Sequence, residues 1–316
     1  MHSPHQDLAS TSSTPRSAER TSTTGQNGND RWADIDPFFT FDYVPLDGPD
    51  DRPADGPRHE PTHDDGPRFT TYWDVEKGCR GPDPLPDWVV TDSGALDTEL
   101  GILKTGKEAD VFLLERTAPD GTGVVMAAKR YRDLDHRSFR RSSAYTDGRT
   151  ARRSRDRRAL SRKTDWGRAV AASQWAVAEW DALCRYWSAG LPVPYPVQID
   201  GTEILMELIE YDGAPAPRLS QVRPGAGLLE EYFVQLRTAI SVMAAEGVAH
   251  GDLSAYNILA AGDRLVIIDL PQVIDLVANP NGPEFLMRDC RNVCSWFRAR
   301  GLDVDPVALF EEVSPT

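Results

Sequence analysis

The chain has 316 residues, enough for one large domain or two small ones, and 40% of them are hydrophobic, so a real core is available. Its formal net charge of −14 is unevenly placed. Residues 1–100 carry 20 Asp and Glu against 8 Lys and Arg, and residues 130–163 carry 13 Lys and Arg against 4 Asp and Glu, so overall acidity does not exclude an anionic partner. Cys79, Cys184, Cys290 and Cys294 form no disulfide framework and no CxxC metal motif. No apolar leader opens the chain and no run of 18 apolar residues occurs, which predicts a cytoplasmic protein with no membrane partner.

Residues 1–68 are rich in Ser, Thr, Pro, Gly and Asp and cannot bury enough apolar surface to offset their ordering entropy, so this acidic, polar tail is expected to be disordered. Its apolar patch at residues 35–41 reads either as a docking motif or, more commonly, as a segment packing on its own domain. An ordered lead-in with Trp73, Trp88 and several prolines follows over 69–90. The run from Leu100 to Leu114 then reads as strand, turn, strand, with Thr105, Gly106, Lys107 and Glu108 at the turn. Such a hairpin closes over phosphates through backbone N–H groups and through Lys107, although two glycines in a hairpin are by themselves usually just a turn. A third strand over 124–129 ends on Lys129.

A charged stretch over 130–163 separates that strand from a helix predicted over 166–189, where Trp175, Ala178, Ala182 and Trp187 recur at helical spacing and Gly190 with Pro192 ends the pattern. Glu179 on this helix is the candidate carboxylate partner of Lys129. The arginine density of 130–163 suits either a solvated loop or a surface for phosphates, of RNA or of a phosphorylated partner. A further hairpin over 197–209, turning at Asp200-Gly201, runs into the break at residues 210–217, and a helix over 228–246 follows.

The most informative stretch is 250–269. Asp252 precedes Asn257 by five residues, two apolar runs at 258–260 and 265–268 form a hairpin around Gly262-Asp263, and Asp269 ends it. These are the residue types that phosphoryl transfer from ATP requires. An Asn amide and an Asp carboxylate are hard oxygen ligands for Mg²⁺, and another carboxylate, Asp252, can orient an attacking hydroxyl and take its proton. An Asx-capped turn before a hairpin is the plain alternative, but it does not explain the His250-Gly251 start and the terminal Asp269 in register. Cys290 and Cys294, four apart on a predicted helix, read as packed thiols rather than ligands.

Taken together, the chain resembles the RIO family of atypical serine/threonine protein kinases, and its first subgroup most closely. The resemblance is carried by Thr105-Gly106-Lys107-Glu108-Ala109, by Trp175-Ala176 with Glu179, and by Pro192-Val193-Pro194. Further on it is carried by the run 214–219, the Asp-Leu-Ser-Ala-Tyr-Asn of 252–257, Glu284-Phe285-Leu286, Arg288-Asp289-Cys290 and Asn292-Val293. It covers the chain from about Ile102 onward. It implies an α+β, reduced two-lobed kinase fold: an N-lobe antiparallel sheet with one helix within 69–209, interrupted by the insertion 130–163, and a mostly helical C-lobe over 210–316. It also implies ATP and Mg²⁺ between the lobes. Lys129, paired with Glu179, would hold phosphates beneath Thr105, Gly106, Lys107 and Glu108. Glu207 and Ile209 would form the adenine hinge, Asp252 would be the catalytic base, and Asn257 and Asp269 would hold metal. An aspartyl-phosphate at Asp269, self or protein serine as acceptor, and a ribosome-maturation role with ribosomal RNA contact through 130–163 are further implications of the family. The chain departs from the pattern at Lys104, Gly251 and Leu270-Pro271, none of which removes a catalytic group.

Two other readings share some of these residues. Aminoglycoside- or choline-type phosphotransferases also use a His-Gly-Asp-x4-Asn loop, but they need a further helical subdomain and only 47 residues follow Asp269. An ATP-responsive binding scaffold with an idle site is a different class, and the presence of Lys129, Asp252, Asn257 and Asp269 counts against it.

Overall fold

The computed structural model of the chain describes residues 44–45, 66–132 and 165–314. Most of the acidic tail, its patch at 35–41, and the arginine-rich stretch from 133 to 163 lie outside the described residues. In chain order the strands are β1 (Val44–Pro45), β2 (Arg68–Phe69), β3 (Leu96–Thr105), β4 (Ala109–Thr117) and β5 (Gly123–Tyr131). Helix α1 (Asp165–Ser188) precedes β6 (Pro196–Asp200), β7 (Glu203–Glu207), β8 (Glu210–Tyr211) and β9 (Ala214–Pro215). The second half holds α2 (Ala226–Ala245), β10 (Val248–Ala249), β11 (Ile258–Ala261), β12 (Arg264–Ile267), β13 (Ile274–Asp275), α3 (Gly282–Arg298) and α4 (Pro306–Val313). Among the described residues this is the expected α+β arrangement, with an antiparallel sheet and one α-helix in the first part and helices with short hairpins in the second.

The sheet runs β1-β3-β4-β5-β7-β6, with β2 also paired to β3. Val44–Pro45, within the stretch expected to lack order, and Arg68–Phe69, at its junction with the lead-in, both pair with β3. Alternation along β5 sorts its side chains between two faces. Met126 and Ala128 join Tyr72, Val89, Leu114, Tyr195, Val197 and Leu205 on one face, beneath the lead-in. Ala127 and Tyr131 face the other way, into the main core with Ala172, Ala176, Trp180 and Leu183 of α1.

The lead-in is fastened by specific polar bonds as well as by burial. Arg116, fully buried, donates to both Asp97 oxygens (2.7 and 2.9 Å) and to Gln198 Oε1 (3.0 Å), whose amide in turn donates to the Thr71 hydroxyl (2.9 Å). The Arg80 guanidinium stacks over Trp73, 4.6 Å from the ring centroid, and donates to the carbonyls of Trp73 and Val75.

Helix α1 forms because residues 172, 176, 179, 180, 183 and 186 recur on one face and are all buried. It stops where Gly190 takes φ +78°. The Gly190 N–H donates to the Trp187 carbonyl and the Leu191 N–H to that of Tyr186, closing a left-handed helix cap. Arg185 near its end donates to the Glu246 carbonyl and carboxylate, tying α1 to the end of α2. Helix α3 buries Phe285, Leu286, Asp289, Cys290, Val293, Cys294 and Phe297 along one stripe. Burial pushes the thiols of Cys290 and Cys294 up to about 12 and about 11, as befits packed cysteines, and no group of three or more His, Cys, Asp or Glu side chains that could hold a metal ion occurs among the described residues. None of the described helices is long and apolar enough to cross a membrane.

Candidate active site

The hairpin turn between β3 and β4 is closed by the Gly106 N–H donating to the Ala109 carbonyl (3.0 Å). A side chain at Gly106 would place its Cβ 2.7 Å from that same carbonyl oxygen, so the turn requires glycine. Thr105 and Lys107 are exposed at its tip and Glu108 is half-buried. Burial, then the Asp269 carboxylate, raises the Glu108 pKa.

Lys129, near the end of β5, is the centre of the constellation. Its Nζ lies 2.7 Å from Glu179 Oε1 and 2.9 Å from Asp269 Oδ1. Burial works against its ammonium, yet Asp269 and Glu179 outweigh it and hold the lysine pKa well above its usual value. Glu179 itself is buried and fully engaged. Besides Lys129 it accepts the Leu270 N–H (3.3 Å) on Oε1 and the Tyr131 hydroxyl on Oε2.

Asp269 sits at φ +68°, a left-handed conformation that a non-glycine residue adopts at a cost of order 1–3 kcal/mol. That strain aims its carboxylate back into the cleft, where Lys129 is and where the side chain remains 46% exposed. The Lys129 ammonium, against some burial, holds the Asp269 carboxyl below the ordinary carboxylate range. Arg218 adds to the same effect.

The loop holding Asp252 is built from its own backbone bonds. His250 Nε2 meets the Ile268 carbonyl at 3.1 Å, and its Nδ1 accepts the Asp252 N–H (3.3 Å), which assigns the proton to Nε2. Gly251, at φ +83°, and Leu253 both donate their N–H groups to the buried Asp289 carboxylate of α3, at 2.8 Å each. Asn257 Nδ2 donates to the Asp252 carbonyl (2.9 Å), which leaves the amide oxygen of Asn257 for another partner. The Asp252 carboxylate is exposed and close enough to Glu108 to raise the latter's pKa.

The structure therefore brings Glu108, Lys129, Glu179, Asp252, Asn257 and Asp269 to one cleft. Glu207 and Ile209 lie at the end of β7 and just beyond it. The Glu207 carboxylate accepts the Tyr195 N–H (3.1 Å). The Ile209 carbonyl accepts the Ala216 N–H (2.8 Å), so the N–H of Ile209 rather than its carbonyl is the group a ligand could meet. Sequence reasoning assigned no role to Tyr131, His250, Arg218 or Asp289. Tyr131 was discoverable from parity, since it leaves β5 on the face of Lys129. A carboxylate on the apolar stripe of α3 was the corresponding sign for Asp289.

A sequence model described as the RIO domain matches residues 113–309. The RIO-type serine/threonine-protein kinase Rio1 of Haloferax volcanii is 36% identical over 230 residues, covering 71% of this chain and 72% of that protein. The serine/threonine-protein kinase RIO3 of Mus musculus is 29% identical over 76% of this chain, which spans only 46% of that longer protein. A solved Rio2 kinase from Chaetomium thermophilum, described as an ADP/Mg²⁺-phosphoaspartate complex, aligns with a TM-score of 0.48 at 22% identity, covering 68% of this chain and 61% of that one. With the RIO domain spanning more than half of the chain and a Rio1 kinase 36% identical, the chain belongs to the RIO family of atypical serine/threonine protein kinases, siding with its Rio1-type subgroup.

Proposed function

We propose that the cleft binds Mg-ATP and that the protein is an ATP-dependent serine/threonine kinase or ATPase in which Asp252 acts on the nucleophile. The observation that carries this reading is Lys129 held between Glu179 and Asp269, with the Asp252–Asn257 loop bonded into the same cleft. The donor set suits a hard divalent cation: the amide oxygen of Asn257 is left over after its NH₂ is engaged, and the half-exposed Asp269 carboxylate has only Oδ1 engaged by Lys129. Bound Mg²⁺ would neutralise charge on the phosphates. Lys129 would bind phosphate oxygens, the turn at Gly106 to Glu108 would cover them, and the main chain at Glu207 and Ile209 would meet adenine. Asp252 would orient a hydroxyl or a water and accept its proton.

An aspartyl-phosphate fits the same arrangement. An Asp269 carboxylate oxygen would attack the γ-phosphorus as the bond to the β–γ bridging oxygen breaks, and that oxygen would leave with ADP. Water would then cleave the acyl phosphate. Incubating the protein with Mg-ATP and following ADP release, intact mass and phosphosites tests this reading. Mg²⁺-dependent ADP release is expected, with any Asp269 adduct lost on treatment with base. A protein inert to Mg-ATP would contradict it.

The arginine-rich stretch and the family together support a phosphate-rich partner such as ribosomal RNA, and with it a link to ribosome maturation. Each phosphate contact should contribute roughly −0.7 to −0.9 to the slope of log affinity against log salt. Replacing Arg152, Arg153, Arg155, Arg157 and Arg158 by Ser should flatten that slope, and an unchanged slope would remove the RNA.

A further inference from the structure

Glu179 is 2% exposed, and a carboxylate so deeply buried must be satisfied at both oxygens. Oε1 takes Lys129 Nζ and the Leu270 N–H, and Oε2 takes the Tyr131 hydroxyl. Tyr131 follows Lys129 by two residues on β5, so both side chains leave the sheet toward α1. The Lys129 ammonium also lies 5.2 Å from the centroid of the Tyr131 ring, within reach of its π face. One side chain thus touches both members of the ion pair.

The need for this contact comes from the competing carboxylate. Lys129 stands 2.7 Å from Glu179 and 2.9 Å from Asp269, and Asp269 is far the more exposed of the two. A lysine drawn fully onto Asp269 would be withdrawn from the phosphates and would occupy a carboxylate needed elsewhere. What keeps it shared between the two carboxylates is the orientation of Glu179. That orientation is fixed from Oε2, where a phenylalanine in place of Tyr131 would leave a buried acceptor without its donor.

We infer that Tyr131 is a positioning residue for phosphate binding: by holding the second oxygen of Glu179 and offering its ring to the ammonium, it keeps Lys129 from collapsing onto Asp269. The inference rests on reading Lys129 as the phosphate-binding lysine. Tyr131→Phe preserves the ring and its packing, and removes only the hydroxyl.

A binding cycle on the full chain tests it, using Mg-ATP and adenosine with the unmodified protein, Tyr131→Phe, Lys129→Ala and the double variant. Tyr131→Phe should weaken Mg-ATP by about tenfold, the scale of one hydrogen bond to a charged group, and leave adenosine within about twofold. In the Lys129→Ala background the same change should cost less than about twofold, because the residue acts through the lysine. An equal loss with and without Lys129, an equal loss for ATP and adenosine, or no loss at all would overturn the inference. If the unmodified protein binds Mg-ATP no better than adenosine, the parent reading of Lys129 fails instead, and that outcome is visible before any variant is made.

Discussion

At the scale of single residues, the cleft is an ion-pair problem with a definite pH signature. The folded pKa of Asp269 is depressed, chiefly by Lys129, so its contribution to stability is present above its unfolded value of about 3.9 and lost as pH falls through the folded one. The folded pKa of Lys129 is raised, so its contribution is present below about 10.4 and lost only as pH rises through the folded value. Between about pH 5 and 9 neither group titrates. The difference in urea midpoint between the unmodified protein and Asp269→Asn should therefore be constant over that window and shrink below about pH 4. A difference as large at pH 3 as at pH 7 would show that the Asp269 charge does not matter to the fold. Lys129, Glu179, Asn257 and Asp269 could be singled out in the sequence because the kinase-like order of strand lysine, helix glutamate and Asp-x4-Asn hairpin places them along the chain. Parity puts Tyr131 on the face of Lys129, but its bond to Glu179 depends on how α1 lies against β5, which no local pattern states.

Among elements, α3 is the support that holds the Asp252 loop in shape. Asp289 accepts the N–H groups of Gly251 and Leu253, and at 1% exposure it is out of reach of solvent that could take its place. Asp289→Asn keeps the volume but turns one acceptor into a donor facing an N–H. This should cost about 1–3 kcal/mol of stability and lower turnover while leaving ATP affinity nearly unchanged, because Lys129 and the residues after β7 stand on other elements. Unaltered melting and turnover in that variant would show that the loop is held by other contacts. Helical periodicity located α1 and α2 to within two residues at each end, since their buried stripes are regular. The apolar run at 124–129 understated β5, which continues through Arg130 and Tyr131 because its charged and aromatic ends still alternate between faces. The lead-in was recognised only as ordered. Its internal Arg80 bonds reach only 5 and 7 residues, but its attachment to the sheet through Gln198 spans 127 residues to Thr71 and 82 to Arg116, which is beyond any window of sequence.

For the whole molecule, the N-terminal boundary follows from what covers the sheet. Among described contacts, removing residues 1–60 deletes only the short β1 pairing with Gly101 and Ile102, so melting temperature and ATP affinity should change little. Removing residues 1–95 strips Tyr72, Trp88 and Val89 from the outer core and exposes the Arg116–Asp97 pair, and that protein should fail to fold. A large loss from the shorter deletion would place the tail within the fold. In the proposed site binding and chemistry fall to different residues, and the measurement that addresses this most directly is ATP turnover by Asp252→Asn alongside its ATP affinity. Turnover should fall by roughly 10²–10⁴-fold with affinity held within about twofold, as expected for loss of a general base. An Asp252→Asn protein that hydrolyses ATP and modifies itself at the unmodified rate would contradict the account.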